Sequence, residues 1–200
     1  MKRGVLLDRD GVINRMVYDA EHGTVDSPAH SEQFELLPGA ADAVRALNRS
    51  GLPVAVVSNQ PGVAKGKMTL ALQEAITSKM HAELAAAGAH LDGVYYCLHH
   101  PDAMLPEYRV RCECRKPRPG LLLRASDELG ISLADSWMIG DGWIDVQAGQ
   151  AAGCMTVWLG MWKCDVCHIA REKNAAPTSV ADDLSEAVRM IAEQISLVRA

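Results

Sequence analysis

Two aspartates stand one residue apart, directly after a short apolar run, in Leu6-Leu7-Asp8-Arg9-Asp10-Gly11-Val12-Ile13-Asn14. Close carboxylates repel each other, and holding both ionised calls for a cation or a shared proton. Magnesium meets that need, being a hard cation that takes oxygen ligands. A plain turn after a strand is the other reading, because Asp and Gly are turn formers, and the pair alone does not choose between them. Ser58-Asn59-Gln60 and Gly140-Asp141 likewise place polar residues directly after apolar runs. A separate group is Cys97-x-His99 followed by Cys112-x-Cys114. Three thiols and an imidazole are the donor set of a closed, structural zinc site. The alternative is unligated thiols in a surface loop, but a loop of about 20 residues needs something to hold it.

The elements that must position these residues alternate between apolar runs and amphipathic stretches. Gly4–Leu7, Leu52–Val57, Gly93–Cys97, Trp137–Gly140 and Cys154–Trp158 read as buried strands. Helices are predicted after Pro38-Gly39, from the N-cap Thr69 to Gly88, from Pro119-Gly120 to Gly130, over about Ile144 to Ala152, and from Asp182 or Asp183 onward. Residues 15–37 read as a long irregular loop, and the segment from Trp158 to about Thr178 as another. This order predicts an α/β fold, a Rossmann-like doubly wound parallel sheet with helices on both faces. In such a sheet the strand ends share one edge, so Asp8, Ser58 and Asp141 should lie close together.

Composition narrows the partners. The chain has 200 residues, of which 48% are hydrophobic, and a formal net charge of -5. That predicts one domain over residues 1–200 with a sizeable core, and it argues against nucleic-acid binding, which wants a basic surface. The first apolar run stops at Asp8, too short for a signal-peptide core, and no run reaches the roughly 18 apolar residues of a membrane span. A cytoplasmic protein with no membrane contact is expected, its six cysteines serving as thiols or metal ligands rather than disulfides.

Asp8-x-Asp10-Gly11, Ser58-Asn59-Gln60, Lys116-Pro117 and Gly140-Asp141-x-x-x-Asp145 resemble the four motifs of the haloacid dehalogenase superfamily of phosphatases, over nearly the whole chain. Within it, Asp8 to Asn14, Asn59-Gln60 and Cys112-x-Cys114-Arg115-Lys116-Pro117 are similar to the heptose-bisphosphate phosphatase and histidinol-phosphatase group. The resemblance implies that Asp8 attacks phosphorus to form an aspartyl-phosphate, and that Asp10 is the general acid and base. It implies that Ser58 and Lys116 stabilise the transferring phosphoryl group, with Asn59, Gln60 and Arg115 on the substrate. Catalytic magnesium would sit on the Asp8 carboxylate, the Asp10 backbone carbonyl and the Asp141 carboxylate. Asp145 would orient Lys116 or a water, or else it is an acid favoured by a helix N-terminus. Structural zinc on Cys97, His99, Cys112 and Cys114 would pin a loop of about residues 97–118 so that Arg115 and Lys116 point into the site.

The implied substrate is a small phosphorylated sugar, a heptose 1,7-bisphosphate cleaved at the 7 position, with a monomeric enzyme. The alternatives are histidinol phosphate, another small sugar or alcohol phosphate, or a non-catalytic binding module on the same fold. The intact set of Asp8, Asp10, Ser58, Lys116 and Asp141 argues against the last. Two departures bear on the substrate. The loop after Asn14 is longer than in typical heptose enzymes, and Gly142 stands where those often carry Lys. No sizeable insertion follows the first or second motif, so no separate cap domain is expected. Arg109, Arg111 and Arg118 crowd the same loop, readable as phosphate attraction or as a solvated loop. Cys164-x-x-Cys167-His168 matches a haem-attachment string, but a pair of loop cysteines is the expectation.

Overall fold

The computed structural model describes residues 1–20, 23–160 and 172–199. Six strands form one sheet in the order β5-β4-β1-β6-β7-β8, every neighbouring pair parallel. These are β1 (Val5–Leu7), β4 (Val54–Asn59), β5 (Gly93–Cys97), β6 (Trp137–Gly140), β7 (Met155–Leu159) and β8 (Ser179–Ala181). Among the described residues the α-helices are α1 (Ala40–Arg49), α2 (Leu70–Ala86), α3 (Gly120–Leu129), α4 (Trp143–Ala152) and α5 (Leu184–Arg199).

β1 is at the centre, where the chain first steps one way to β4 and later the other way to β6. Val5 and Leu7 face one core, with Val44 and Leu47 of α1, Ile76 and Met80 of α2, and Leu184 and Ile191 of α5. Leu6 faces the other, with Leu121, Leu122 and Ala125 of α3 and Ala148 of α4. A strand covered on both faces needs apolar residues at successive positions, which is why Val5-Leu6-Leu7 shows no alternation. Leu6 is fully buried, so truncating it to Ala would remove roughly 2–5 kcal/mol of stability.

Local signals set the helix ends. The Thr69 hydroxyl accepts from the Leu72 N–H at 3.2 Å at the start of α2. Gly130 and Gly153 close α3 and α4 in the left-handed conformation, at φ 66° and 80°. Thr69 and Gly130 stand at the helix ends that the sequence predicts.

Two segments differ from expectation. Residues 15–37 are not irregular: β2 (Val17–Asp19) and β3 (Thr24–Asp26) form an antiparallel hairpin, followed by a 3-10 turn at Ser31–Gln33. Three-residue strands are too short to show alternation, so the pairing is invisible locally. After β7, the chain adds β8 where only loop was expected. The segment docks through reciprocal bonds, Thr178 N–H to Thr156 Oγ1 and Thr156 N–H to Thr178 Oγ1, both 3.0 Å. No insert larger than the β2–β3 hairpin separates β1 from α1 among the described residues. No described helix is long and apolar enough to cross a membrane.

Candidate active site

Asp8 follows β1 and Asp141 follows β6, while Ser58 and Asn59 end β4, so the carboxyl edge of the sheet brings all of them together. The Asp8 N–H donates to the Ile139 carbonyl at 2.9 Å, extending the ladder past the strand. Its Oδ1 accepts from the Arg9 N–H at 2.8 Å.

Lys116 reaches this edge from the loop before α3. Its side chain is wholly buried, with Nζ 2.9 Å from Asp8 Oδ1 and 2.5 Å from Asp145 Oδ1. Burial alone would lower its pKa, but the carboxylates of Asp145 and Asp8 raise it, so it stays charged. Asp145 also accepts from the Gly142 N–H at 3.1 Å, so it is both the acid of the first turn of α4 and the partner of Lys116. Two glycines allow this crowding: a Cβ at Gly140 would overlap Asp145, and one at Gly11, which sits at φ 77°, would overlap Asp141.

Asp8, Asp141 and Asp145 offer carboxylate oxygens that all lie within 4.8 Å of one another. Burial, then Asp145 and Asp8, push Asp141 up to about 7. Burial first, and then Asp8 against the opposing Lys116, push Asp145 up to about 6. Three acids share one ammonium, which leaves excess negative charge on an all-oxygen donor set. That fits a hard divalent cation. Among side chains the group adds Asp145 to Asp8 and Asp141; the ligand expected from Asp10 is its backbone carbonyl, not its carboxylate.

The Asp10 carboxylate is turned toward the protein. Arg9 grips it through Nε and Nη2, with contacts of 3.0–3.2 Å, and Arg9 is itself wholly buried, 5.6 Å from the Tyr96 ring centroid. Asn14 Nδ2 donates to Oδ1 at 2.9 Å. Ser27 Oγ and Gln60 Nε2 donate to Oδ2 at 2.8 and 2.6 Å. Sequence reasoning missed these roles. Arg9 and Asn14 lay inside the motif, and a charged residue between an apolar run and a glycine was the available signal. Ser27 comes from the hairpin, 17 residues away, and left no local signal.

Asn59 and Gln60, expected on the substrate, have partners within the protein. Asn59 is committed to the loop: its Oδ1 accepts from the Lys116 N–H, and its Nδ2 donates to the Lys116 carbonyl, both at 3.0 Å. Gln60 is buried, and its amide nitrogen serves Asp10 and, at 3.0 Å, the Ser58 hydroxyl. Both thus tie residues of the sheet edge together, Gln60 from a buried position and Asn59 from a partly exposed one.

The second cluster gathers Cys97, His99, Cys112 and Cys114, with donor atoms within 4.8 Å of one another. The sulfur–sulfur distances are 3.2, 3.3 and 3.6 Å, and His99 Nδ1 lies 3.5 Å from Cys114 Sγ. A tetrahedron with zinc–sulfur bonds of about 2.3 Å has edges of about 3.7 Å, so the cluster matches that size. Cys97 is pushed above its ordinary value by burial, and then by Cys114. Burial also pushes Cys112 up, but hydrogen bonds from Cys114 and Cys97 draw it down overall. Three thiols so close cannot all ionise without a cation among them. Arg115 Nη1 donates to the His99 carbonyl at 3.1 Å, tying the residue before Lys116 to the same cluster. His100 is lowered by burial and then by Arg115 and Lys65, a sign of the positive field on this side.

The site resembles known proteins in sequence and in structure. The HAD-hydrolase-like family model matches residues 113–187. A D-glycero-beta-D-manno-heptose-1,7-bisphosphate 7-phosphatase of Escherichia coli strain K12 is 45% identical over 152 residues, spanning 76% of this chain and 75% of that protein. The chain belongs to the heptose-bisphosphate phosphatase family of the haloacid dehalogenase superfamily. A family member of the same description from Vibrio cholerae is 41% identical over 78% of this chain and 79% of its own length. Among solved family structures, D,D-heptose 1,7-bisphosphate phosphatase from B. bronchiseptica, complexed with magnesium and phosphate, superposes with a TM-score of 0.78. It is 28% identical and covers 96% of this chain and 99% of its own. The family sheet and the family motifs thus stand where the sequence put them. Cys164, Cys167, His168 and His22 lie outside the described residues.

Proposed function

We propose that residues 1–200 form one phosphatase domain that hydrolyses the 7-phosphate of D-glycero-beta-D-manno-heptose 1,7-bisphosphate, as a cytoplasmic monomer. The observation that carries this reading is the buried Lys116 ammonium, 2.9 Å from Asp8 and 2.5 Å from Asp145, on the sheet edge beside Asp141. A lysine neutralising the nucleophile and the incoming phosphoryl group is what phosphoryl transfer asks of a protein, because the work there is mostly positioning and charge stabilisation.

Asp8 attacks phosphorus, the bond to the sugar oxygen breaks, and Asp10 gives that oxygen its proton. Asp10 then takes a proton from water, whose oxygen attacks the aspartyl-phosphate and frees Asp8 and inorganic phosphate. Two easier steps replace one difficult step. Ser58 donates a hydrogen bond to the phosphoryl group, and Arg115 contacts the sugar phosphate. Arg9, Asn14, Ser27 and Gln60 fix the Asp10 carboxylate, while Asn59 and Asp145 fix Lys116. Asp8, Asp141 and the Asp10 main-chain carbonyl would hold magnesium, which supplies further neutralisation of the phosphoryl oxygens. Cys97, His99, Cys112 and Cys114 would hold structural zinc.

The test is phosphate release from the two anomers of heptose 1,7-bisphosphate and from histidinol phosphate, with and without magnesium. The β-anomer should have the highest kcat/KM. Asp8→Asn should lower turnover at least about a thousandfold while circular dichroism is unchanged. Preferred turnover of histidinol phosphate would reassign the substrate, and wild-type activity in Asp8→Asn would remove the nucleophile.

A further inference from the structure

Arg9 lies between the two catalytic acids and is bound to both. Its N–H donates to Asp8 Oδ1 at 2.8 Å, and its guanidinium grips the Asp10 carboxylate through Nε and Nη2. A guanidinium this buried is costly unless it is paired and fixed. Asp10 supplies the pairing. The fixing comes from β5, where the Tyr96 ring centroid is 5.6 Å from Arg9 Cζ, within cation–π range. Burial would lower the Arg9 pKa, and Asp10 and then Tyr96 raise it instead. Tyr96 is held in turn from α2. Thr77 Oγ1 is hydrogen-bonded to the Tyr96 hydroxyl at 3.2 Å and to the Gln73 carbonyl at 2.9 Å. The same strand reaches Asp10 by a second route. Successive side chains of a strand point to opposite faces. Tyr96 packs toward the core under α1 and α2, and Cys97 toward the core under α3. The Cys97 carbonyl accepts from the Gln60 N–H at 2.8 Å, and Gln60 Nε2 donates to Asp10 Oδ2 at 2.6 Å. β5 thus supports the carboxylate twice, through Arg9 and through Gln60.

We propose that Tyr96, braced by Thr77, is a positioning residue for the general acid. It fixes the Arg9 guanidinium, and through it the direction in which Asp10 faces the leaving oxygen. The inference rests on the assignment of Asp10 as general acid and deepens it. A general acid must stay within hydrogen-bond reach of the atom it protonates. A ring against a planar guanidinium limits its plane, so the fork meets Asp10 at one angle. Loosening Tyr96 therefore slows the step that needs the acid proton and spares the attack on phosphorus. Asp8 keeps its ladder bond to the Ile139 carbonyl, and Lys116 keeps its clamp on Asn59.

The experiment compares first-turnover rates on two substrates. The sugar oxygen of heptose 1,7-bisphosphate must be protonated as it leaves, whereas p-nitrophenyl phosphate loses an anion that is stable by itself and gains little from an acid. In Tyr96→Leu the saturating rate on the sugar should fall at least about tenfold, while first-turnover nitrophenolate release stays within about twofold of wild type. Tyr96→Phe keeps the ring and should restore the sugar rate to within about threefold of wild type. An equal fall on both substrates would overturn the proposal, because the site as a whole would have loosened. So would a wild-type sugar rate in Tyr96→Leu. Asp10→Asn separates the two readings, since wild-type sugar turnover in that variant would remove the general acid itself. A readout without substrate is the Arg9 Nε–H signal in nitrogen-15 spectra, assigned by its loss in Arg9→Lys. Its exchange with water should quicken at least about tenfold in Tyr96→Leu, and by a smaller factor in Thr77→Val. Unchanged exchange overturns the brace whatever the substrate. If thermal unfolding shows that Tyr96→Leu does not fold, Tyr96→Met takes its place in every comparison. If wild type turned over neither substrate, the phosphatase reading would fall by itself, and the brace would stand or fall on the exchange of the Arg9 Nε–H.

Discussion

Magnesium binding should expel a proton, and the site says how many and where. In the metal-free protein Asp141 is pushed up to about 7 by burial and by Asp145 and Asp8. A cation needs the carboxylate, so any proton on it must leave. With that pKa, Asp141 is about 90% protonated at pH 6 and about 10% protonated at pH 8. Calorimetric titration with magnesium in buffers of different ionisation enthalpy should therefore report release of at least about 0.9 proton at pH 6 and about 0.1 at pH 8. Affinity should weaken about tenfold per pH unit below about pH 6. The stability sign follows from the same group. Its folded-state pKa lies above the ordinary 3.8, so ionisation in the native state is unfavourable. That penalty is absent below about pH 4, grows through the window, and is complete above about pH 7, where the rise corresponds to roughly 4 kcal/mol. Magnesium should thus raise Tm more at pH 8 than at pH 6 at the same magnesium concentration, because its apparent affinity is higher there. Asp145→Asn removes the largest charge contribution to the rise and should move the break in affinity to lower pH. A magnesium affinity flat from about pH 5.5 to 8, with no proton release, would refute the shared-charge account of this edge.

Two further outcomes test the supports of Lys116. Asn59→Ala removes both hydrogen bonds to the Lys116 backbone, worth about 1–3 kcal/mol, and should lower kcat about tenfold to a hundredfold with KM little changed. A raised KM at constant kcat would restore Asn59 as a substrate contact. Cys112→Ser should lower zinc from about one per chain and reduce phosphate release with it, while the far-ultraviolet spectrum keeps its α/β shape. A zinc-free, fully active preparation would remove the structural role of the metal.

The sheet edge was legible because its chemistry is carried by residue types at strand ends. Val5-Leu6-Leu7 reads as a buried strand, and whatever follows it must fall at the carboxyl edge. The four zinc-type donors were legible for a similar reason: two short x-spaced pairs define a ligand set whatever the intervening loop does. Lys116 could be placed only through its motif, since its burial between Asp8 and Asp145 depends on contacts 108 and 29 residues away along the chain. Asn59 and Gln60 were expected on the substrate only because the family resemblance implied it. Which way an amide points is decided by its partners, here Lys116 and Asp10, and no local pattern encodes that. Ser27 was invisible for the same reason, hidden in a segment whose strands are too short to alternate. β8 escaped notice because three residues at a sheet edge, Ser179-Val180-Ala181, carry almost no periodic signal.

The join between the thiol cluster and the sheet has a consequence for how the protein fails. Cys97 ends β5, and its carbonyl accepts from the Gln60 N–H at 2.8 Å, while neighbouring Asn59 clamps Lys116 two residues beyond Cys114. The cluster and the reaction edge are thus parts of one rigid body rather than a scaffold and a distant ornament. On the proposed zinc role, a molecule that has not acquired the metal is expected to hold Lys116 less firmly against Asp8, and so to be inert instead of indiscriminate. Incomplete maturation would then subtract copies from the working pool without releasing a careless hydrolase among the cell's phosphate esters.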